Sequence, residues 1–448
     1  MPTIRRFLDA LLLGVFLPDK VTFAINTHIS ERWWLKPFLG LSQVFRMDPT
    51  HPLSLKDLIH HLQKDSKTVI FPEGRLTETG SLMKIYDGPG LVAEKSGAKV
   101  LPIRFEGTQY SHFSKLRNIV RLRLFPKITM HILPPATIPE HRELTGKNRR
   151  KLSGHILADI MTDMMFKTSH YQQSIFSCLL EARAIHGGSH VIAEDLERNP
   201  VTYDQVVTRT LALSSLLNAM TQPGEYVGVM LPNSTKTLYV VLALQYLKRI
   251  PAMLNFSTGA AGMVSACQIA QVNTVLTSRK FIEMAKLELE AELLSQQTRL
   301  VYLEDLAASL SWQDKLKALC LAKTTDIWYD RDADKSDAPA VVLFTSGSEG
   351  LPKGVVLSHS NVLANHQQVA ARISFTPQDV VLNYLPMFHS FGFTVATLLP
   401  VMAGMKVFFY PTPLHYAVIP EIAYEISATI LFGTNTFFAA YAKKSTPV

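Results

Sequence analysis

Apolar positions recur along this chain at two periods, and the switches between them mark out its elements. Residues 55–62 place apolar side chains at helical spacing, and residues 88–96 do so again before Gly97 punctuates the end. Between them residues 68–71 form a short β-prone run. Residues 100–105 are strand-like, and residues 128–133 alternate as a half-buried strand does. Pro134 and Pro135 close this region, and a helical, polar stretch follows over residues 138–185. His186-Gly187-Gly188-Ser189 then marks a joint. Beyond it, residues 226–231, 252–255, 274–277, 300–303 and 341–344 are short apolar runs, mostly with helical segments between them. That order predicts a mostly parallel sheet covered by helices, extended by residues 406–410 and 429–432. No internal repeat or low-complexity segment interrupts it. The pattern predicts an α/β protein of two α/β domains, 1–137 and 186–448, joined by a helical linker over 138–185.

Composition narrows the class. A chain of 448 residues with 47% hydrophobic and 18% charged residues can bury sizeable cores. Cys178, Cys267 and Cys320 are far apart and odd in number, which argues against a disulfide framework or a zinc site and for a reducing compartment. No apolar run reaches the length of a membrane-spanning helix. Residues 7–18 follow Arg5 and Arg6 as a signal peptide would, but they contain Asp9 and lack a small-residue cleavage site, so a buried helix is expected there.

Charge is placed unevenly. Residues 1–175 hold 25 Lys and Arg against 15 Asp and Glu, and the remainder holds 20 against 22. A basic half attracts anionic lipid head groups or an acidic carrier protein. No nucleic-acid-binding motif is present, so a membrane surface and an acidic protein are the expected partners, and nucleic acid is not.

Two glycine-bearing stretches carry the candidate chemistry. In Phe71-Pro72-Glu73-Gly74-Arg75, Pro72 and Gly74 shape a tight bend, and Gly74 lets backbone N–H groups approach an anion. Arg75 offers a guanidinium fork to phosphate, with Glu73 to orient it or the neighbouring backbone. In Thr345-Ser346-Gly347-Ser348-Glu349-Gly350-Leu351-Pro352-Lys353-Gly354, the hydroxyls of Thr345, Ser346 and Ser348 suit phosphate oxygens. Gly347 and Gly350 free the backbone to bend, and Lys353 adds positive charge. No Gly-Lys-Ser/Thr follows, so this is not a Walker A motif.

The first stretch resembles the phosphate-binding block of the glycerolipid acyltransferases, and Val100-Leu101-Pro102-Ile103 follows where that family's next block belongs. The resemblance spans roughly residues 7–137 and implies that Glu73, Gly74 and Arg75 bind the lysophospholipid phosphate. It also implies a catalytic histidine, four intervening residues and an aspartate. Phe7-Leu8-Asp9 matches the end of that motif, but Ile4 stands where the histidine belongs and cannot accept a proton. His60 with Asp65 and His190 with Asp195 share the spacing and are expected to be surface residues. If residues 2–6 are encoded CCA-ACC-ATN-CGT-CGN, reading from the third base gives Asn-His, a variable residue and Ser, which restores the spacing. The gene's nucleotide sequence decides this: an in-frame isoleucine codon with no neighbouring insertion or deletion ends the idea.

The second stretch resembles the phosphate loop of adenylate-forming, AMP-binding enzymes. Leu231-Pro232-Asn233 fits the start of that domain. Leu385-Pro386-Met387-Phe388-His389-Ser390-Phe391-Gly392 resembles a segment lining the acyl and adenylate pocket, and Gly433-Thr434 a further lining segment. Jointly the two regions resemble the family of bifunctional acyl-acyl carrier protein synthetase / 2-acylglycerophosphoethanolamine acyltransferases. That resemblance implies ATP and Mg2+ as cofactors, with acyl carrier protein, a fatty acid and a lysophospholipid as partners, at the cytoplasmic face of an inner membrane. The chain ends at Val448, before the Tyr-Gly-x-Thr-Glu segment for adenine and magnesium and before the C-terminal lid, so little or no adenylation is expected from it alone. No metal-ligating residue is expected within it. The competing expectation is a catalytically inactive fragment that binds a membrane surface or the acyl carrier. A stand-alone ligase for another carboxylic acid conflicts with the first-half signature.

Overall fold

Helices and strands alternate as the two periods require, and they assemble into two units. The computed structural model describes residues 8–27, 43–47, 52–74, 82–112, 120–330, 335–346 and 352–444. One unit comprises residues 1–169 with 368–374, the other residues 170–367 with 375–448. The stretch 138–185 is divided between them: the helix Gly146–Lys167 belongs to the first, the helix Ile175–His186 to the second.

In the first unit, β1 (Thr22–Asn26) pairs in parallel with β2 (Gln43–Met47) and β3 (Thr68–Val69), in the order β2-β1-β3. The helix Pro52–Gln63 links β2 to β3. β4 (Ile103–Glu106) and β5 (Thr129–Ile132) form a separate antiparallel pair, with Arg104 opposite His131. β4 starts after Pro102, which has no N–H to give a ladder. The helix Asp87–Ser96 ends at Gly97, whose φ of 69° makes a left-handed cap. The expectation of a buried helix over residues 7–18 needs correcting. The helix is there (Leu8–Phe16), but only Leu13 is buried, while Leu11, Val15 and Phe16 are exposed. Nine residues this uniformly apolar cannot all turn inward against a three-stranded sheet.

In the second unit, side-chain caps set the helix starts. Ser174 accepts from Ser177 N, Ser234 accepts from Thr237 N, and Thr202 forms a capping box with Gln205. The strands in chain order are β6 (Val191–Asp195), β7 (Val201–Thr202), β8 (Tyr226–Val229), β9 (Ile250–Met253), β10 (Thr274–Thr277), β11 (Arg299–Tyr302), β12 (Pro339–Ser346), β13 (Pro352–Ser358), β14 (Val380–Asn383), β15 (Lys406–Phe409) and β16 (Ile430–Leu431). They make two sheets rather than the single one expected. Six strands run β11-β10-β8-β9-β12-β13, parallel except for the β12–β13 hairpin. Five run β16-β14-β15-β6-β7, parallel except for β6–β7. Strands β15 and β16, expected to extend the first sheet, belong to the second because β14 and β6 supply their ladders. β6 escapes a pattern reading because it ends in Glu194 and Asp195.

The helix Ile175–His186 carries Ile175, Phe176 and Leu179 with no exposed surface, so this end of the polar stretch is core. Of the pair His190 and Asp195, expected at the surface, Asp195 is buried and His190 half-buried. His190 Nε2 lies 2.7 Å from Gly404 O and its ring stacks on Tyr203, while the buried Asp195 carboxylate accepts from Thr235 N and Oγ1. Asp195 thereby serves a helix start, not a proton relay.

His366, on the helix His359–Arg372, is buried, and its Nδ1 has no hydrogen-bond partner among the described residues. Burial pushes its imidazole down to about 4 from the ordinary 6.5. The folded state therefore holds it neutral where the unfolded chain takes up a proton. The stability it contributes is full above pH 6.5 and is lost as the pH falls towards 4, about 3 kcal/mol in all. Urea midpoints of the second unit should fall across that window, and His366→Leu should flatten the fall; an unchanged slope would contradict the buried neutral ring.

Candidate functional site

The first candidate site starts at β3. The chain leaves it in a turn in which Gly74 N donates to Phe71 O at 3.0 Å and Tyr86 N to Pro72 O at 3.0 Å. Gly74 has φ of 61°, and a Cβ there would stand 2.9 Å from the Tyr86 ring, so glycine is required. The Glu73 carboxylate accepts from Met83 N at 3.0 Å, tying the turn to the segment that returns from it. Arg75 and Ile4 lie outside the described residues. Asp9 sits in the first turn of the helix Leu8–Phe16, and its carboxyl is hydrogen-bonded by the side chain of Thr108. Burial raises this carboxyl above its ordinary value against the pull of that hydrogen bond.

The second candidate site lies at the carboxyl ends of parallel strands, the usual place for ligands in an open α/β sheet. β8, β9 and β12 run parallel, with Val229 opposite Met253 and Met253 opposite Leu343, so the end of β12 at Ser346 projects from the same edge as the end of β8. The glycine-rich stretch joins β12 to β13; Gly347, Ser348 and Gly350 lie outside the described residues, as does the side chain of Ser346. Thr345 pairs directly with Lys353 across the antiparallel ladder, and both are exposed. Directly opposed residues share a face, so a hydroxyl and an ammonium stand side by side at the mouth of the hairpin. That donor set fits the phosphates of a nucleotide: Thr345 would donate to an oxygen and Lys353 would offset charge, while the nucleotide supplies the leaving pyrophosphate.

Just beyond β8, the buried Asn233 reaches the other sheet. Its Nδ2 donates to Leu385 O at 2.7 Å and to Tyr410 O at 3.3 Å, and its Oδ1 accepts from Met387 N at 3.0 Å. Asn383 Oδ1 accepts from Leu385 N, and its Nδ2 donates to Thr397 Oγ1. These two amides fix the backbone that carries His389. Sequence reasoning quoted Asn233 only as a domain marker and missed Asn383; an asparagine closing an apolar run was the available signal. The His389 imidazole is exposed yet rests against the Phe388 ring, 4.6 Å between centroids, and partial burial holds it below its ordinary value. Phe391 meets Phe432 edge-on at 6.1 Å. A Cβ on Gly433 would stand 2.5 Å from the Tyr384 hydroxyl, and Thr434 is exposed at the start of the helix Asn435–Lys444. His389 and Gly433–Thr434 therefore gather around the end of β14, and the two amides join that place to the end of β8. Among the described residues no three His, Cys, Asp or Glu side chains gather as a metal site would need.

Fold and site define an α/β class with a glycine-rich hairpin at a sheet's carboxyl edge, whose described donors suit a nucleotide's phosphates. The model of the AMP-binding enzyme family matches residues 181–447, more than half of the chain, and the chain belongs to that family. Residues 5–106 match the model of a second family, acyltransferase. Over 210 residues the chain is 28% identical to an acyl-CoA ligase, sidI, of Beauveria bassiana, covering 46% of this chain and 35% of that protein. Over 70 residues it is 46% identical to the medium-chain fatty-acid–CoA ligase of Escherichia coli, covering 16% of this chain and 12% of that protein. The chain thus spans between 12% and 35% of the length of these relatives. Among solved structures, an o-succinylbenzoate CoA synthetase from Bacillus subtilis, in complex with an acyl-adenylate intermediate, shares the fold with a TM-score of 0.50 at 18% identity, covering 60% of this chain and 64% of that one.

Proposed function

We propose that this chain derives from a phospholipid-repair enzyme that passes an acyl group from acyl carrier protein to a lysophospholipid of the 2-acylglycerophosphoethanolamine type, coupled to ATP-dependent activation of the fatty acid, with transfer impaired here by Ile4 in the place of the catalytic histidine. The observation that carries the reading is that an acyltransferase-family region and an AMP-binding region share one polypeptide. Activation makes a thioester, and transfer consumes it: the lysophospholipid hydroxyl attacks the thioester carbonyl, the carbon–sulfur bond breaks, and the hydroxyl proton ends on the departing thiol. Acting on a lipid and carrying a basic first half, the protein would work at the cytoplasmic face of an inner membrane with ATP and Mg2+.

A second reading, an inactive fragment that binds a membrane surface or the acyl carrier, is favoured by one observation: Ile4 replaces the proton acceptor. Acyl-acyl carrier protein and 2-acylglycerophosphoethanolamine, mixed with the Ile4→His chain, separate the two. Diacyl product detected by mass spectrometry sustains transfer; a folded, unproductive protein favours the binding fragment. For the nucleotide half, Lys353→Ala should weaken ATP binding by about tenfold or more, the worth of one charge-assisted hydrogen bond. Calorimetry showing equal affinity would remove Lys353 from the phosphate site.

A further inference from the structure

Residues 121–127 read Arg-Leu-Arg-Leu-Phe-Pro-Lys and form an exposed segment leading into β5. Leu124 is 75% exposed and Phe125 90%, while Arg121, Arg123 and Lys127 are exposed around them. Two adjacent large apolar side chains held out in water need a reason. Their base is held on both sides. Arg123 N donates to Tyr110 O at 2.8 Å, with its guanidinium 5.7 Å from the Tyr110 ring centre. On the other side Gly107, φ 95°, lets the backbone press against Lys127, whose carbonyl oxygen would stand 1.9 Å from any Cβ.

We propose that Arg121–Lys127 is a finger that seats the first unit on an anionic phospholipid bilayer, Leu124 and Phe125 entering the acyl boundary while the three cations meet lipid phosphates. Charge complementarity selects this occupant: between residues 107 and 139 the chain has five Lys and Arg and no Asp or Glu. The finger is also tied to the transfer site. Tyr110, which holds Arg123, shares the 3-10 turn Thr108–Tyr110 with Thr108, the hydrogen-bond partner of Asp9. Seating the finger brings that turn to the interface, where a lysophospholipid presents its free hydroxyl. This purpose rests on the acyltransferase reading; the docking itself does not.

The test uses the whole chain and sedimentation with vesicles of mixed phosphatidylglycerol and phosphatidylcholine. Leu124→Ser with Phe125→Ser should weaken binding by about a hundredfold, since two apolar side chains no longer leave water. Arg121→Gln with Lys127→Gln should weaken it roughly tenfold at low salt, and vesicles of phosphatidylcholine alone should bind poorly. Thermal unfolding should not change, because none of these side chains is in a core. Wild-type affinity in the doubly apolar-to-serine variant overturns the proposal. So does unchanged vesicle binding accompanied by lost binding to an acidic carrier protein, which would make the finger a protein-docking site. If the Ile4→His chain shows no transfer while vesicle binding still depends on Leu124 and Phe125, the acyltransferase reading fails and the finger stands. If transfer to lysophospholipid dispersed as monomers proceeds but vesicle binding ignores the finger, the finger fails and the reading stands.

Discussion

Under the proposed function, acyl transfer to a lysophospholipid should rise by about two to four orders of magnitude when Ile4 is replaced by histidine, the usual worth of a positioned general base. Isoleucine has no lone pair, so the attacking hydroxyl has no side chain at that position to take its proton. Under the proposed function Asp9 takes the partner role. It sits in the first turn of the helix Leu8–Phe16, and its carboxyl accepts from Thr108 while burial raises it. A carboxylate that is costly to ionise gains most from a neighbouring cation, so an imidazolium five residues earlier would be stabilised as it forms. Adding Asp9→Asn to the Ile4→His chain should return turnover towards the starting level, because an amide neither fixes the productive tautomer nor steadies the developing charge. Initial rates with acyl-acyl carrier protein, followed against pH, check both variants. A gain that survives Asp9→Asn would show that the pair does not act together.

The second large effect is structural. Glu94→Ala should destabilise the first unit by about 3 kcal/mol, the cost of removing a buried carboxylate shared by three donors and leaving the half-buried Arg149 with its 3.4 Å contact to Glu140. The Glu94 side chain has no exposed surface and accepts from His141 N at 2.8 Å, Arg149 Nε at 2.8 Å and Ser153 Oγ. It belongs to the helix Asp87–Ser96, and Arg149 and Ser153 to the helix Gly146–Lys167. The two helices touch at Gly90, where a Cβ would stand 2.3 Å from Ser153 O. Burial opposes ionisation of Glu94, but the hydrogen bonds from His141, Ser153 and Arg149, with the Arg149 charge, outweigh it and hold the carboxyl below its ordinary 4.5. The stability it adds is therefore full above pH 4.5 and is lost as the pH falls through the lowered value. Urea unfolding of wild type and variant measures both effects; equal midpoints at neutral pH would mean that the network adds nothing.

Local pattern and motif spacing determined much of this protein. The β-prone run before Phe71, the helix closed by Gly97, the strand ending at the glycine-rich stretch and the α/β class are all legible, because each depends on residues within one or two turns of chain. The two candidate motifs are likewise local, since a bend and a nearby cation are written in consecutive residues. What tertiary structure decided depends on partners far along the chain. The splitting of the second unit into two sheets required β6 to pair with β15, more than two hundred residues away, and no periodicity records a ladder partner. Asn233 and Asn383 became the supports of the His389 segment only when the ends of β8 and β14 met, because an amide's value lies in the carbonyls it reaches. Asp195 and His190 kept the spacing of a catalytic pair, yet folding assigned one to a helix start and the other to a backbone oxygen. Sequence distance sets which residues can act locally, whereas burial and long-range pairing set which of them are free to act at all.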